Sequence, residues 1–147
     1  MALSKKAAAE QCARAIVKTH MAFRQFIQSR LKAHQIDLTF EMLQVLGVLW
    51  KEDGVNQQLL ADATLKDKAS MTYLINNLTR RNLVARQEDA TDRRNKLVLL
   101  TKEGRKLQQI IQPWLEEMYQ VAGNKITAGA FFDTIQTLEA VERNVTG

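Results

Sequence analysis

One stretch of the sequence decides the fold: residues 56–107, which read NQQLLADATLKDKASMTYLINNLTRRNLVARQEDATDRRNKLVLLTKEGRKL. Its first part predicts a helix-turn-helix over residues 56–81, because two short helical patterns are separated by only about three residues. The second helix, residues 67–81, is the predicted recognition helix, with Asp67 as its amino-terminal cap. Its apolar residues recur at helical spacing and predict one continuous buried stripe: Met71, Leu74, Ile75 and Leu78.

The first helix of the pair is predicted over residues 56–63, with Asn56 as its cap. Its apolar residues lie within one helical turn of each other. We therefore expect its buried side to consist of Leu59, Leu60 and Ala63.

The pattern changes after the recognition helix, and residues 83–101 predict a β-hairpin. The segments LVARQE and KLVLLT are suited to strands, and the polar segment DATDRRN between them is suited to a loop. This loop is long enough to project from the surface. A helix-turn-helix followed directly by a basic hairpin predicts a winged helix.

Further helices are predicted on both sides of this stretch. A long helix covers about residues 3–33, and a second, strongly apolar helix precedes the helix-turn-helix. A helix over residues 102–122 follows the hairpin, and Pro113 is expected to kink or break it. The predicted caps of the second, fifth and sixth helices are Thr39, Thr101 and Thr127. The predicted fold class is mainly α with a small β-hairpin wing (α+β).

Length and composition favour one soluble globular domain. The chain has 147 residues, of which 46% are apolar and 25% are charged. No apolar run approaches the length of a membrane span, and the first residues lack the apolar core of a signal peptide. Cys12, the single cysteine, cannot form an internal disulfide. We therefore expect a cytoplasmic protein.

The positive charge is concentrated in the middle of the chain. Residues 66–105 carry ten bases and five acids, whereas the rest of the chain carries eleven of each, so this segment accounts for the whole net charge of +5. A local basic surface is expected of a protein with a polyanionic partner. Double-stranded DNA is the partner that a winged helix favours.

The segment LTRRNLVARQEDATDRRNKLVLLTKEG, residues 78–104, resembles the multiple-antibiotic-resistance-regulator (MarR) family of bacterial transcription factors. It matches the family's pattern of a leucine, a basic pair, a "GLV-R" strand, an Asp-Arg-Arg wing and an "L-LT--G" exit. Asn82 stands where the family usually has glycine, and asparagine also tolerates a left-handed backbone.

The resemblance implies a single MarR-type domain over residues 1–147 that forms a homodimer. Residues 1–34 and 102–147 would supply the dimerisation helices, and two winged-helix lobes would bind a palindromic operator. The implied function is a sequence-specific transcriptional regulator, a repressor relieved by a small-molecule ligand that the sequence does not identify. The alternative is a winged-helix module that binds a protein or nonspecific nucleic acid without responding to a ligand.

The face of the recognition helix opposite the apolar stripe is polar and supplies the predicted base and phosphate contacts. Lys68 lies in the first turn and can neutralise a phosphate. Asn76 has an amide that can pair with an adenine edge. The predicted DNA-binding residues of this helix are Lys68, Ser70, Thr72, Tyr73, Asn76 and Asn77.

The tip of the predicted wing carries two adjacent arginines, Arg93 and Arg94. A narrow A·T minor groove concentrates negative potential and attracts an inserted arginine. By resemblance, one of the two enters the minor groove while Asp92 braces an arginine within the wing. The spacing does not decide which arginine has which role. The alternative is a surface ion pair of little energetic weight.

No pattern in the sequence indicates an enzyme, a metal site or a cofactor. His20 and His34 lack metal-ligand spacing, and no nucleophile motif is present. One branch of the resembled family senses peroxides through a cysteine of the first helix. Tyrosines would be expected near that cysteine, and none lies near Cys12 in sequence, so a packing role is favoured.

Overall fold

The computed structural model describes residues 2–147, and within this range the chain forms helices and one small sheet. The helices are α1 (Lys5–Ala33), α2 (Phe40–Lys51), α3 (Gln57–Thr64), α4 (Lys68–Arg80), α5 (Lys102–Ala122) and α6 (Ala128–Thr146). The strands are β1 (Val55–Asn56), β2 (Val84–Glu88) and β3 (Lys96–Leu100). The predicted mainly helical winged-helix class is confirmed. Among the described helices, none combines the length and the apolar character that crossing a membrane requires.

The predicted caps are confirmed, because each accepts a hydrogen bond from a backbone amide of the first helical turn. The side chains of Thr39, Asn56, Asp67 and Thr127 cap α2, α3, α4 and α6. Thr101 does the same for α5, since its hydroxyl accepts from the Gly104 amide at 3.1 Å. These bonds satisfy amides that have no partner inside the helix.

The sheet has three antiparallel strands in the order β1-β3-β2. The hairpin strands pair from Val84 with Leu100 to Glu88 with Lys96, as the predicted wing requires. The short strand β1 was not predicted. It pairs Val55 with Val98, and a strand of two residues is too short to show any alternation in the sequence.

Most of the core lies between α2, α3, α4 and the sheet, and α1 and α5 contribute further buried residues. The predicted stripe of α4 is confirmed, because all four of its side chains are buried. The predicted buried side of α3 is confirmed for Leu60 but wrong for Leu59 and Ala63, which are exposed, and Ala61 is buried instead. A helix of eight residues has too few apolar positions to fix its own orientation, so α2 and α4 determine which side faces inward.

The hairpin is joined closely to the start of α5. Thr101 donates to the carbonyl oxygens of Asn82 through its hydroxyl and of Leu83 through its amide, at 2.7 and 3.1 Å. Gly104 lies so close to Leu83 that a Cβ atom would stand 2.2 Å from the Leu83 carbonyl oxygen. Asn82 has a φ of 58°, the left-handed conformation that the sequence suggested. The glycine of the "L-LT--G" pattern therefore serves this close contact.

The described residues divide into two compact units between Leu115 and Glu116, within α5. The first unit contains the core and the sheet. The second contains α6, which has no buried residue. Pro113 lies inside α5 without ending it, so the helix continues through the residue where a kink or break was expected.

Candidate nucleic-acid interface

The outward face of α4 is polar and accessible, because its apolar stripe faces the core. Ile75 is 0% exposed on one side of the helix, whereas Tyr73 is 66% exposed on the other. Opposite faces of one helix therefore separate a packing surface from a surface free to contact a ligand. The predicted contact residues of α4 are not equivalent on this face, since several already bind other protein groups.

The first turn of α4 is organised by Asp67. Its Oδ1 accepts from the Ser70 amide at 2.7 Å, and its Oδ2 accepts from the Ser70 hydroxyl at 3.1 Å. The bond from the Ser70 amide is the main reason that the pKa of Asp67 lies below its ordinary value of 3.8. Because this amide is occupied, the exposed Lys68 side chain is the better phosphate donor at this helix end.

Thr72 and Asn77 use their polar atoms within the protein. The Thr72 hydroxyl donates to the Lys68 carbonyl at 3.0 Å and accepts from Gln57 Nε2 at 2.6 Å, which ties α3 to α4. Asn77 donates from Nδ2 to the Tyr73 carbonyl at 3.0 Å and accepts from Arg80 at Oδ1. Both side chains are half-buried. Their polar atoms stabilise the surface of α4 and are less available to a ligand than those of an exposed side chain.

Asn76 is exposed and contacts the wing through Arg86, a residue that was not among the predicted contacts. The guanidinium of Arg86 donates to Oδ1 of Asn76 at 2.6 Å. The "GLV-R" strand pattern includes Arg86, but the contact depends on α4 and β2 lying side by side. The sequence pattern of either element alone does not predict such a pair.

The wing loop is ordered by a second acid that the sequence analysis missed, Asp89. Its carboxylate accepts from the Thr91 amide at 2.9 Å, from the Thr91 hydroxyl at 2.8 Å and from Asn95 Nδ2 at 3.1 Å. The bond from the Thr91 amide is the main cause that lowers the pKa of Asp89 below its ordinary value. An aspartate that accepts from an amide two residues along is the usual nucleus of a tight loop.

Asp92 also stabilises the loop, through the backbone. Its Oδ1 accepts from the Arg94 amide at 3.0 Å, and its carbonyl accepts from the Asn95 amide at 3.0 Å. The bracing that the family resemblance implied thus involves the Arg94 main chain. The guanidinium groups of Arg93 and Arg94 remain on exposed residues at the tip of the wing.

Bases outnumber acids on the surface of α4 and the wing. Arg81 and Arg105 are paired with Asp37 and Asp53 at 3.1 and 3.0 Å. Other exposed bases of α4 and the wing form no ion pair within residues 2–147: Lys68, Arg80, Arg86, Arg93, Arg94 and Lys96. A set of unpaired cations on neighbouring elements attracts a polyanion and raises its rate of encounter.

The two histidines are exposed and make ring contacts with aromatic side chains. His20 lies edge-on to Phe40 with ring centroids 5.8 Å apart, and the His34 ring lies 4.5 Å from that of Trp114. Cys12 is a free, half-buried thiol. Within residues 2–147, no three His, Cys, Asp or Glu side chains are grouped to hold a metal ion.

Comparison with known proteins finds sequence similarity in the winged-helix segment of the chain. Residues 36–95 match the model of the MarR family. The transcriptional regulator HosA of Escherichia coli O157:H7 is 34% identical over 71 residues, which cover 48% of this chain and 53% of HosA. The match thus spans about half the length of that relative.

Solved structures extend the likeness of the fold to most of the chain. The crystal structure of the S. aureus MepR–DNA complex has a TM-score of 0.79 at 25% identity and covers 90% of this chain and 96% of that chain. Bordetella bronchiseptica BpsR, whose DNA binding is regulated by 6-hydroxynicotinic acid, has a TM-score of 0.74 at 23% identity over 90% of this chain and 98% of that chain. The likeness to BpsR is one of fold alone. Through residues 36–95, this chain is similar to the MarR family.

Proposed function

We propose that the protein is a dimeric, sequence-specific DNA-binding transcriptional regulator, a repressor whose DNA binding a small-molecule ligand relieves. The observation that carries this proposal is the set of unpaired cations and exposed polar side chains that α4 and the wing present together. A helix with this surface fits the major groove of B-DNA, and a basic hairpin beside it reaches the adjacent backbone and minor groove.

The exposed residues divide into those that read bases and those that bind the backbone. Tyr73 and Asn76 face outward from the middle of α4 and would meet base edges. Lys68 would bind a phosphate. One arginine of the Arg93–Arg94 pair would enter the minor groove, where the base code is degenerate. Ser70, Thr72 and Asn77 would support this surface through the bonds that they make within it.

Salt dependence tests the proposal directly. Binding of a fluorescent duplex to the wild type should weaken by orders of magnitude between low and moderate salt, because phosphate contacts release counterions. Arg93→Ala and Arg94→Ala should each weaken binding to specific and scrambled duplexes alike. Any lost phosphate contact should lower the salt slope by about one unit.

Lys18→Ala provides the control, because it removes an exposed cation of α1 that lies outside the basic segment. It should bind like the wild type. If both wing variants also keep the wild-type affinity and salt slope, the hairpin is not a DNA-binding wing. A winged-helix protein-interaction module would then be the better assignment.

Dimerisation through the terminal helices is supported by apolar side chains that the single chain leaves exposed. On α6, Phe132 is 65% exposed. On α1, Val17 and Met21 are exposed as well. A second copy of the chain would cover such surfaces.

The wild type should sediment as a dimer at micromolar concentration, and a chain truncated after Val121 should be monomeric or insoluble. A soluble, DNA-binding monomer from that truncation would overturn the shared helical domain.

Two winged-helix lobes related by a two-fold axis imply a palindromic operator. Half-site centres would lie about 34–36 Å apart, one turn of the duplex. Inserting about five base pairs between the half-sites would rotate one half-site to the opposite side and should abolish paired binding. Unchanged affinity after the insertion would contradict this geometry.

The proposed ligand response is supported by an open groove of about 690 Å³ beside α4. Ser70 and Tyr73 line it together with Leu65 of the turn between α3 and α4. A molecule bound there would meet the same tyrosine that faces DNA. Release of a bound duplex can be measured with 6-hydroxynicotinic acid, the molecule named for BpsR, and with other small aromatic acids. If none of them releases the duplex at millimolar concentration, ligand relief by this chemical class is excluded.

A further inference from the structure

The hydrogen bond between Arg86 and Asn76 fixes the orientation of the asparagine side chain. A guanidinium has only donors, so the amide atom that it contacts at 2.6 Å is the oxygen Oδ1. The Nδ2 amino group lies on the other branch of the carboxamide and has no hydrogen-bond partner within residues 2–147. The end of Asn76 available to a ligand is therefore a donor.

Arg86 reaches Asn76 because of its place in the wing. It lies two residues after Val84, which is buried, so the two side chains leave β2 on the same face. This strand contacts α4. Both Arg86 and Asn76 are exposed, so the pair lies at the surface where the wing meets the recognition helix.

A second Asn–Arg pair on α4 shows what is distinctive about this one. Arg80 donates to Oδ1 of Asn77 at 2.5 Å, as Arg86 does to Asn76. The Nδ2 group of Asn77, however, donates to the Tyr73 carbonyl at 3.0 Å and is used. Of these two pairs, only Asn76–Arg86 combines a positioned amide with an unused amino group.

We propose that Arg86 is a specificity-determining residue, and that with Asn76 it forms a donor pair selecting guanine at one position of the DNA site. This inference rests on the proposed DNA-binding function. Guanine presents two acceptors, N7 and O6, to the major groove, whereas adenine presents one acceptor and the N6 amino donor. The adenine amino group would face a guanidinium and an Oδ1 that is already bonded. Asn76 held by Arg86 is therefore expected to prefer guanine, whereas a freely rotating asparagine would be expected to pair with adenine.

The test selects bound sequences from a pool of duplexes with a randomised core, using the full-length wild type, Arg86→Ala, Asn76→Ala and the double variant. Arg80→Ala is the matched control, since it also removes an exposed arginine bonded to an asparagine of α4. Duplexes with 7-deazaguanine at the selected position then probe the N7 contact. Thermal unfolding of each variant checks that it is folded.

The wild type should select guanine at a position where Arg86→Ala and Asn76→Ala each reduce the preference by about tenfold, within the range expected for a bidentate contact. The double variant should lose no more than either single variant, because the two residues act as one unit. Substitution with 7-deazaguanine should weaken the wild type but not Arg86→Ala or Asn76→Ala. Arg80→Ala should keep the same preferred sequence, whatever its overall affinity.

Three results would contradict the proposal in different ways. If the wild type selects a sequence and Arg86→Ala selects it with unchanged preference, Arg86 has no role in specificity and the proposed DNA-binding function still stands. If the single variants alter different positions, the pair does not act as a unit. If the wild type selects no sequence at all, the proposed function itself fails, and this assignment fails with it.

Discussion

Helices α4 and α6 have similar apolar spacing but opposite burial. On α4 the stripe from Met71 to Leu78 is 0–6% exposed. On α6, Phe131, Phe132 and Ile135 recur within about one turn, yet none of the helix's residues is buried. Periodicity alone therefore tells which residues share a face of a helix. It does not tell whether that face is covered by the same chain or by another molecule.

The two helices are therefore expected to differ in whether their contribution to stability depends on a second copy of the chain. The stripe of α4 is part of the core of its own chain, so its contribution to stability is intrinsic to one molecule. The apolar face of α6 is exposed, and its contribution should appear only when a second copy binds. The predictions that follow test this division.

The largest expected effect is that of Ile75→Ala. Ile75 is fully buried on α4, and its truncation should lower the free energy of unfolding by about 2–5 kcal/mol, since it leaves a cavity in the core. Urea denaturation followed by circular dichroism measures the loss. The loss of unfolding free energy in Ile75→Ala should not depend on protein concentration, provided that the variant and the wild type have the same oligomeric state.

Ile135→Ala is the matched comparison, because the same side chain is truncated where it is 47% exposed on α6. Its effect should be small at concentrations where the protein is monomeric and should grow as the protein associates. Equal losses for the two variants in the monomer would contradict the division between the helices.

A smaller effect is expected from Gly104→Ala. The added Cβ would lie 2.2 Å from the Leu83 carbonyl oxygen, so the junction between hairpin and α5 must shift, at a cost of about 1–3 kcal/mol. Gly47→Ala on α2 is the control, because nothing lies within 4 Å of its added Cβ. It should be neutral or stabilise the helix, by up to about 1 kcal/mol. Similar thermal midpoints for the two variants would show that the junction is not closely packed.

The smallest effect concerns the cap of α4. The pKa of Asp67 is lowered in the folded protein, chiefly because its carboxylate accepts from the Ser70 amide. Its ionised form therefore stabilises the fold above the ordinary pKa of 3.8, and this contribution is lost as the pH falls through the lower folded pKa. Asp67→Asn should reduce the thermal midpoint slightly at neutral pH, and the difference from wild type should shrink in acid.

Thr127→Asn on α6 is the corresponding control for the cap, since it exchanges one uncharged cap for another. Its difference from the wild type should not vary with pH. A difference for Asp67→Asn that is constant from neutral to strongly acidic pH would mean that the carboxylate charge has no role in capping α4.

The elements that the sequence predicted correctly are those whose signals are local. Thr39, Asp67 and Thr127 cap helices because their side chains accept hydrogen bonds from amides only three residues further along the chain. The left-handed backbone of Asn82 also follows from the preference of that residue.

The features that the sequence did not predict depend on contacts between elements. The orientation of α3 is imposed by its neighbours, and β1 exists only because Val55 lies beside Val98 of the hairpin. The same holds for the candidate interface. Exposure of Asn76 could be read from helical periodicity, whereas its bond to Arg86 joins residues of different elements.

The central claim is that α4 and the wing bind duplex DNA while α6 does not. Hydrogen–deuterium exchange of the full-length protein, with and without a duplex carrying its selected sequence, tests this claim most directly. DNA should slow exchange in residues 68–80 and 88–96 and leave residues 128–146 unchanged. Exchange in residues 128–146 should instead slow as the concentration of the free protein rises. Slowed exchange in α6 on adding DNA, with no change in α4 and the wing, would contradict the account.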